Sequence, residues 1–247
     1  MTQGERALRA DAERNRRRVL DAAGELFRER GLEVGVGEIA EHAGVGRGTL
    51  FRNFPSKEAL IAAILVDRMG EAVDFGQALL ESADPGEALF EFLAEIVGRQ
   101  QVDRAVFEAV ADIWLANDEI RAAHAQIVGV LGELLGRAQE AGAVRADIGP
   151  MDVLMMFKGV CEAAASYAHI DAQIIPRHLD LLRAALRADP APQPLRGRAP
   201  TLEEVERMAL QSSEHAPATA ATTTPTTAAP ATTARAPAAA PATTAAG

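Results

Sequence analysis

Three observations predict an all-α fold. Ala and Leu are frequent while Thr and Tyr are scarce before residue 200, a composition that favours helix over strand. Apolar residues recur at spacings of three and four, and no run alternates as a half-buried strand would. Gly31, Pro55, the pair Asp84-Pro85, Gly142 and the pair Gly149-Pro150 punctuate these stretches where helices should stop or start. At 247 residues and 48% apolar, the chain is long enough for one large or two modest domains, each with a proper core.

The elements follow in order. Val19, Leu20, Ala23, Leu26 and Phe27 form one stripe, so a helix is expected from about Ala12 to Arg30, with Gly31 as its stop. Two short helices are expected near Glu38 to Ala43 and Arg47 to Asn53. Pro55 breaks the chain, Ser56 caps, and a long helix runs from Lys57 to about Leu80. Asp84, Pro85 and Glu87 supply a cap, a first helical residue and a capping-box partner for a helix ending near Gln101. Further helices are expected at Asp103 to Ala116, Asp118 to Ala141, Pro150 to Ala168 and Pro176 to Ala188.

These elements divide into a head over residues 1–57, a body over 58–189 and a remainder over 190–247. The remainder opens with the linker PAPQPLRGRAP, followed by one short amphipathic helix, Thr201 to Gln211, whose capping box is Thr201 and Glu204. From Ala216 onward every residue is Ala, Thr or Pro except Arg235 and Gly247. Without large apolar side chains such a tail cannot offset its ordering entropy, so disorder is expected.

Charge separates the head from the body. The formal net charge of the whole chain is -10, yet residues 1–57 hold 11 Lys and Arg against 9 Asp and Glu, while residues 58–189 hold 10 against 22. A mildly basic end on a strongly acidic middle suits a polyanion-binding head on a body kept off the polyanion, though ordinary solvated charge gives the same counts.

Several classes of function are excluded. One cysteine, Cys161, allows no disulfide framework and no multi-cysteine zinc site, and no apolar run approaches a membrane span. The amino terminus has no signal-peptide core, so a reducing cytoplasm is the expected compartment. His42, His124, His169, His178 and His215 lack metal-ligand spacing, so no metal and no cofactor are expected. The run Gly44-Val-Gly46-Arg-Gly48-Thr has neither the third glycine of a dinucleotide fingerprint nor the Gly-Lys-Ser/Thr of a P-loop. Carboxylates are not recognisably paired for acid and base work, and Cys161 reads as a packing residue, so no catalytic residue is assigned and the chain is not expected to be an enzyme.

The informative stretch is GVGEIAEHAGVGRGTLFRNFPSKEAL, Gly35 to Leu60. Two short helices joined by a turn containing Gly44 match a helix-turn-helix, in which glycine admits the positive φ between crossing helices. Ile39, Ala43, Val45 and Leu50 supply a shared apolar core, and small Ala40 allows close approach. The second helix then presents Arg47, Thr49, Phe51, Arg52 and Asn53, which can meet phosphates and base edges and include no acid. Arg14, Arg16, Arg17 and Arg18 lead into the first helix; they suit flanking phosphates or a minor groove, or equally a solvated face.

This stretch resembles the DNA-binding head of the TetR family of transcriptional regulators. The resemblance rests on Ile39-Ala40, Ala43-Gly44-Val45, Gly48-Thr49-Leu50-Phe51, Phe54 and Lys57-Glu58-Ala59-Leu60, and the helical layout extends it to roughly residues 12–188. It implies double-stranded DNA with an inverted repeat as partner. Arg47, Thr49, Arg52 and Asn53 would divide between base edges and backbone, and Lys57 would hold a phosphate. Two departures are visible: Phe51 stands where the family commonly has Tyr, and Val36-Gly37 precede Glu38 where a Thr or Ser cap is usual.

For the body, the resemblance implies an apolar pocket for a small-molecule inducer, with Phe107, Trp114, Met155, Met156 and Tyr167 as candidate wall. The helix Pro150 to Ala168 carries apolar residues on two sides, Met151, Leu154, Met155 and Cys161 on one and Val153, Met156, Phe157, Val160, Ala164 and Tyr167 on the other. Such a helix must be covered twice. Paired with the last body helix, it is expected to form a four-helix interface in a homodimer. The expected function is a ligand-responsive repressor released from its operator by an inducer. The alternatives are an activator, a ligand-independent repressor, and a helical small-molecule-binding protein or enzyme without DNA binding.

Overall fold

The structure is a computed structural model. It describes residues 3–102, 106, 117–167, 171, 173–188, 195–198, 200–205 and 207. The helices are α1 (Gln3–Arg30), α2 (Val36–His42), α3 (Arg47–Asn53), α4 (Lys57–Leu79), α5 (Pro85–Val102), α6 (Asp118–Glu140), α7 (Pro150–Tyr167) and α8 (Ile174–Leu186). The fold is all-α: among the described residues the one extended pairing is an isolated antiparallel bridge between Val144 and Arg187. Of the helix expected at Asp103 to Ala116 only Val106 is among the described residues, and the Ala/Thr/Pro tail lies outside them.

Local signals in the chain set several helix starts. Ser56 Oγ accepts from the Ala59 amide at 3.1 Å at the start of α4, and Asn117 Oδ1 accepts from Glu119 and Ile120 at 3.0 and 3.1 Å at the start of α6. Both satisfy amides that a helix start leaves without partners. Thr201 and Glu204 form the expected reciprocal capping box, at 2.9 and 3.2 Å. Asp84 caps α5 by accepting from the Glu87 amide at 3.0 Å. Glu87 itself departs from the capping box: its carboxylate pairs with Arg183 of α8, and Ser82 Oγ accepts from the Asp84 amide instead.

Helix α1 begins nine residues before the expected Ala12. Arg6 and residues 10–14 are exposed, so no buried stripe marks these turns for apolar periodicity to find.

Two cores are stacked along α4. The first gathers Val19, Ala23 and Phe27 of α1, Ile39 and Ala40 of α2, Leu50 of α3, Phe54, and Leu60 to Leu65 of α4, joined by Val106 and Ile120. The second gathers Ala72 and Val73 of α4 with α5, α6, α7 and α8 around Leu89, Phe92, Leu131 and Leu134. Met69 packs against both. The change from one core to the other falls within α4. One rigid rod thus carries side chains into both cores.

Candidate nucleic-acid interface

Helix α3 is held by one face and open on the other. Leu50 is 1% exposed and Phe54 2%; burying such side chains contributes about 1.5–3 kcal/mol each and anchors the helix to α1, α2 and α4. The turn before α3 requires glycine, because Gly44 has φ +63°, a conformation that costs other L-residues roughly 1–2 kcal/mol. The Val45 amide closes that turn on the Ala40 carbonyl at 2.9 Å. This is the crossing expected of a helix-turn-helix.

On the open side lie Arg47, Gly48, Phe51 and Arg52, with Thr49 and Asn53 half-buried at the margin. Phe51 is 48% exposed, a large apolar ring left in water on a helix of seven residues. Arg52 is folded back on its own helix: Nε donates to the Gly48 carbonyl at 3.2 Å and Nη2 to Thr49 Oγ1 at 3.0 Å. Asn53 Nδ2 donates to the Thr49 carbonyl at 2.8 Å. These bonds hold the polar row in place and can be exchanged for base or phosphate contacts.

The four arginines of α1 do not act alike. Arg14 pairs with Asp11 at 3.2 Å. The guanidinium of Arg16 lies 4.7 Å from the centre of the Phe54 ring, which brings a cation to the end of α3. Arg18 Nη2 donates to the Gly44 carbonyl at 3.2 Å and so clips the turn between α2 and α3. Asp21, Asp67 and Glu71 surround Arg17 at 2.9 to 3.4 Å, and it ties α1 to α4. Burial pulls its pKa down, but these three carboxylates more than reverse that and leave it raised.

Lys57 also looks inward, donating to the Leu32 carbonyl and lying 5.9 Å from the centre of the Phe27 ring. Its ammonium fastens the loop after α1 to the start of α4.

The head matches the family model described as bacterial regulatory proteins of the tetR family over residues 19–64. The body matches the C-terminal domain of SbtR-like transcriptional regulators over residues 84–188. A crystal structure of a TetR transcription regulatory protein from Mycobacterium vanbaalenii is 37% identical, with 73% of this chain and 99% of that one covered and a TM-score of 0.56. The chain belongs to the TetR family of transcriptional regulators. The TetR regulator SCO0520 from Streptomyces coelicolor is 32% identical, covering 70% of this chain and 98% of that one at a TM-score of 0.56. The transcriptional repressor KstR of Rhodococcus jostii is 35% identical over 136 residues, a match that spans 54% of this chain and 64% of that repressor.

In this TetR-family body the five candidate pocket residues fall in different places. Phe107 and Trp114 lie outside the described residues, as does the side chain of Tyr167, whose backbone ends α7. Met155 is 53% exposed and Met156 41% in the single chain, while Met151, Val153 and Phe157 take the inward positions of α7. Leu181 of α8 is likewise 55% exposed.

Among the described residues no group of three or more His, Cys, Asp or Glu is placed to hold a metal ion, and no helix is long and apolar enough to cross a membrane. Cys161 is half-buried, and burial, with Glu162 nearby, pushes its thiol up to about 11. That depletes the thiolate a nucleophile would need.

Proposed function

We propose that the chain is a homodimeric repressor that binds an inverted-repeat operator through paired copies of α3 and releases it when a largely apolar small molecule enters the body. The observation that carries this reading is the acid-free open side of α3, with Arg47, Phe51 and Arg52 in water on a protein of net charge -10.

The mechanism follows from geometry. Two heads related by a two-fold axis read an inverted repeat when their recognition helices lie about 34–36 Å apart, or a multiple of that. The apolar residues Met155, Met156 and Leu181 on the outer side of α7 and α8 support pairing of two copies there. A ligand that prefers a body conformation with another head spacing weakens DNA binding by its coupling free energy, typically about 1–3 kcal/mol. Helix α4 enters both cores and is the lever between them. Repression is further supported by the similarity to the repressor KstR. Phe107, Trp114 and Tyr167 are the proposed wall of the inducer pocket.

The test is selection of duplexes from a random-sequence library by the full chain, followed by titration at several salt concentrations. An inverted repeat bound with a steep salt dependence is expected. Failure to enrich any sequence, with no salt-dependent retention of duplex DNA, would overturn the reading.

A further inference from the structure

Arg47 opens α3, yet its side chain does not run out along that helix. It lies back across the first turn of α2, over Gly37. A Cβ built on Gly37 would stand 2.7 Å from Cζ and 2.9 Å from Nε of Arg47, and nearer still to Nη2. The guanidinium thus fills the volume that any side chain at residue 37 would occupy.

No bond holds it there. Glu38, the acid beside Gly37, is engaged by Arg30 at 2.7 Å, and among the described residues Arg47 makes no hydrogen bond or ion pair. The fork is the exposed end of a flexible side chain lying in an open notch, and its five N–H groups remain available.

The usual reasons for a glycine are absent. The positive-φ glycines among the described residues are Gly31, Gly44, Gly142 and Gly197, so the backbone at Gly37 suits any L-residue. Gly37 is the second residue of α2, a first-turn position that any good helix former can fill. Helix stability gives no reason for a glycine there, and the open space that Arg47 enters is what it provides.

We infer that Gly37 is a positioning residue for operator recognition: its missing Cβ forms a seat that keeps the Arg47 fork against α2, beside the start of α3. The inference rests on the DNA-binding reading above. It assigns to this position a share in reading the duplex although hydrogen is its only side chain.

The experiment uses the full chain and the duplex that the wild type selects from a random library. Gly37→Ala should bind that duplex roughly tenfold more weakly, the scale of a lost arginine contact, while its melting temperature stays level or rises. Added to Arg47→Ala, it should weaken binding no further. Wild-type affinity in Gly37→Ala would overturn the seat, and so would a loss that persists in full beside Arg47→Ala. Either result leaves the DNA-binding reading standing; a wild type that selects no duplex removes that reading and this inference with it.

Discussion

Nη1 of Arg17 on α1 donates to both carboxylate oxygens of Asp67 on α4, at 2.9 and 3.0 Å. One turn further along α4, Glu71 accepts from Arg17 at 3.4 Å, from Arg68 at 3.1 Å and from Arg99 of α5 at 2.7 Å. A single cluster therefore bolts the DNA-reading head to a helix of the body. The two carboxylates differ in what the cluster does for them. Burial is the largest influence on Asp67 and keeps its pKa raised despite Arg17. Burial also acts upward on Glu71, but Arg68, Arg99 and Arg17 together outweigh it and leave its pKa lowered. Arg17 is raised while Asp67 is raised too: the attraction is real, but for the carboxylate it does not cover the cost of leaving water. Asp67 chiefly orients, and Glu71 stabilises.

A pH dependence follows for Glu71→Gln. A lowered folded pKa means the stabilisation is present above the ordinary value of 4.5 and fades as pH falls through the folded value. With the side chain about one-third exposed, the loss should be only about 1 kcal/mol at neutral pH. Thermal melts of wild type and variant should differ by a few degrees at pH 7 and converge in acid below that value. A difference that does not shrink on acidification would refute the assignment.

Arg47→Ala and Arg52→Ala should each weaken binding to the selected duplex by about 1–3 kcal/mol. Both side chains lie outside the cores, so melting temperatures should hold within about 0.5 kcal/mol of stability. Unchanged anisotropy titrations for both variants would show that α3 does not read DNA through these residues.

Phe51→Tyr places a hydroxyl on an exposed ring. A single added hydrogen bond to a phosphate is worth about 1 kcal/mol, so the variant should bind roughly fivefold tighter. The same titration checks it; weaker binding would show that the ring meets an apolar feature such as a thymine methyl.

Gly44→Ala forces a side chain onto φ +63° and should cost about 1–2 kcal/mol. The added Cβ would stand 2.5 Å from Nη2 of Arg18, which also strains the bond from Arg18 to the Gly44 carbonyl. Calorimetry should record a drop of several degrees, and an unchanged melting temperature would contradict the turn geometry.

Met155→Glu with Met156→Glu introduces two charges on the outer side of α7, where the native side chains are already exposed in one copy. The single chain should fold normally, while sedimentation should show monomers where the wild type pairs. Pairing that survives both substitutions would move the interface elsewhere.

Much of the head can be read from residue order alone, because its information is local. Gly44 followed by Val45, Leu50 and Phe54 dictates a turn and one buried side for α3, and what remains on that helix must face water. The caps at Ser56, Asp84 and Thr201 are equally local, each acting within three residues of itself. The exposure of Met155 and Met156 is not legible there, since α7 is apolar on several sides and periodicity cannot say which side meets α6 and which is left over.

Backbone propensity and near-neighbour spacing suffice to make the chain helical, to locate the helix-turn-helix and to turn one row of α3 outward. The crossing of the helices is what joins Arg17 to Asp67, Arg18 to the Gly44 carbonyl, Lys57 to the Leu32 carbonyl and Arg47 to the notch at Gly37. Long cationic side chains reach across helices, and which acid, carbonyl or gap each one finds depends on how those helices cross.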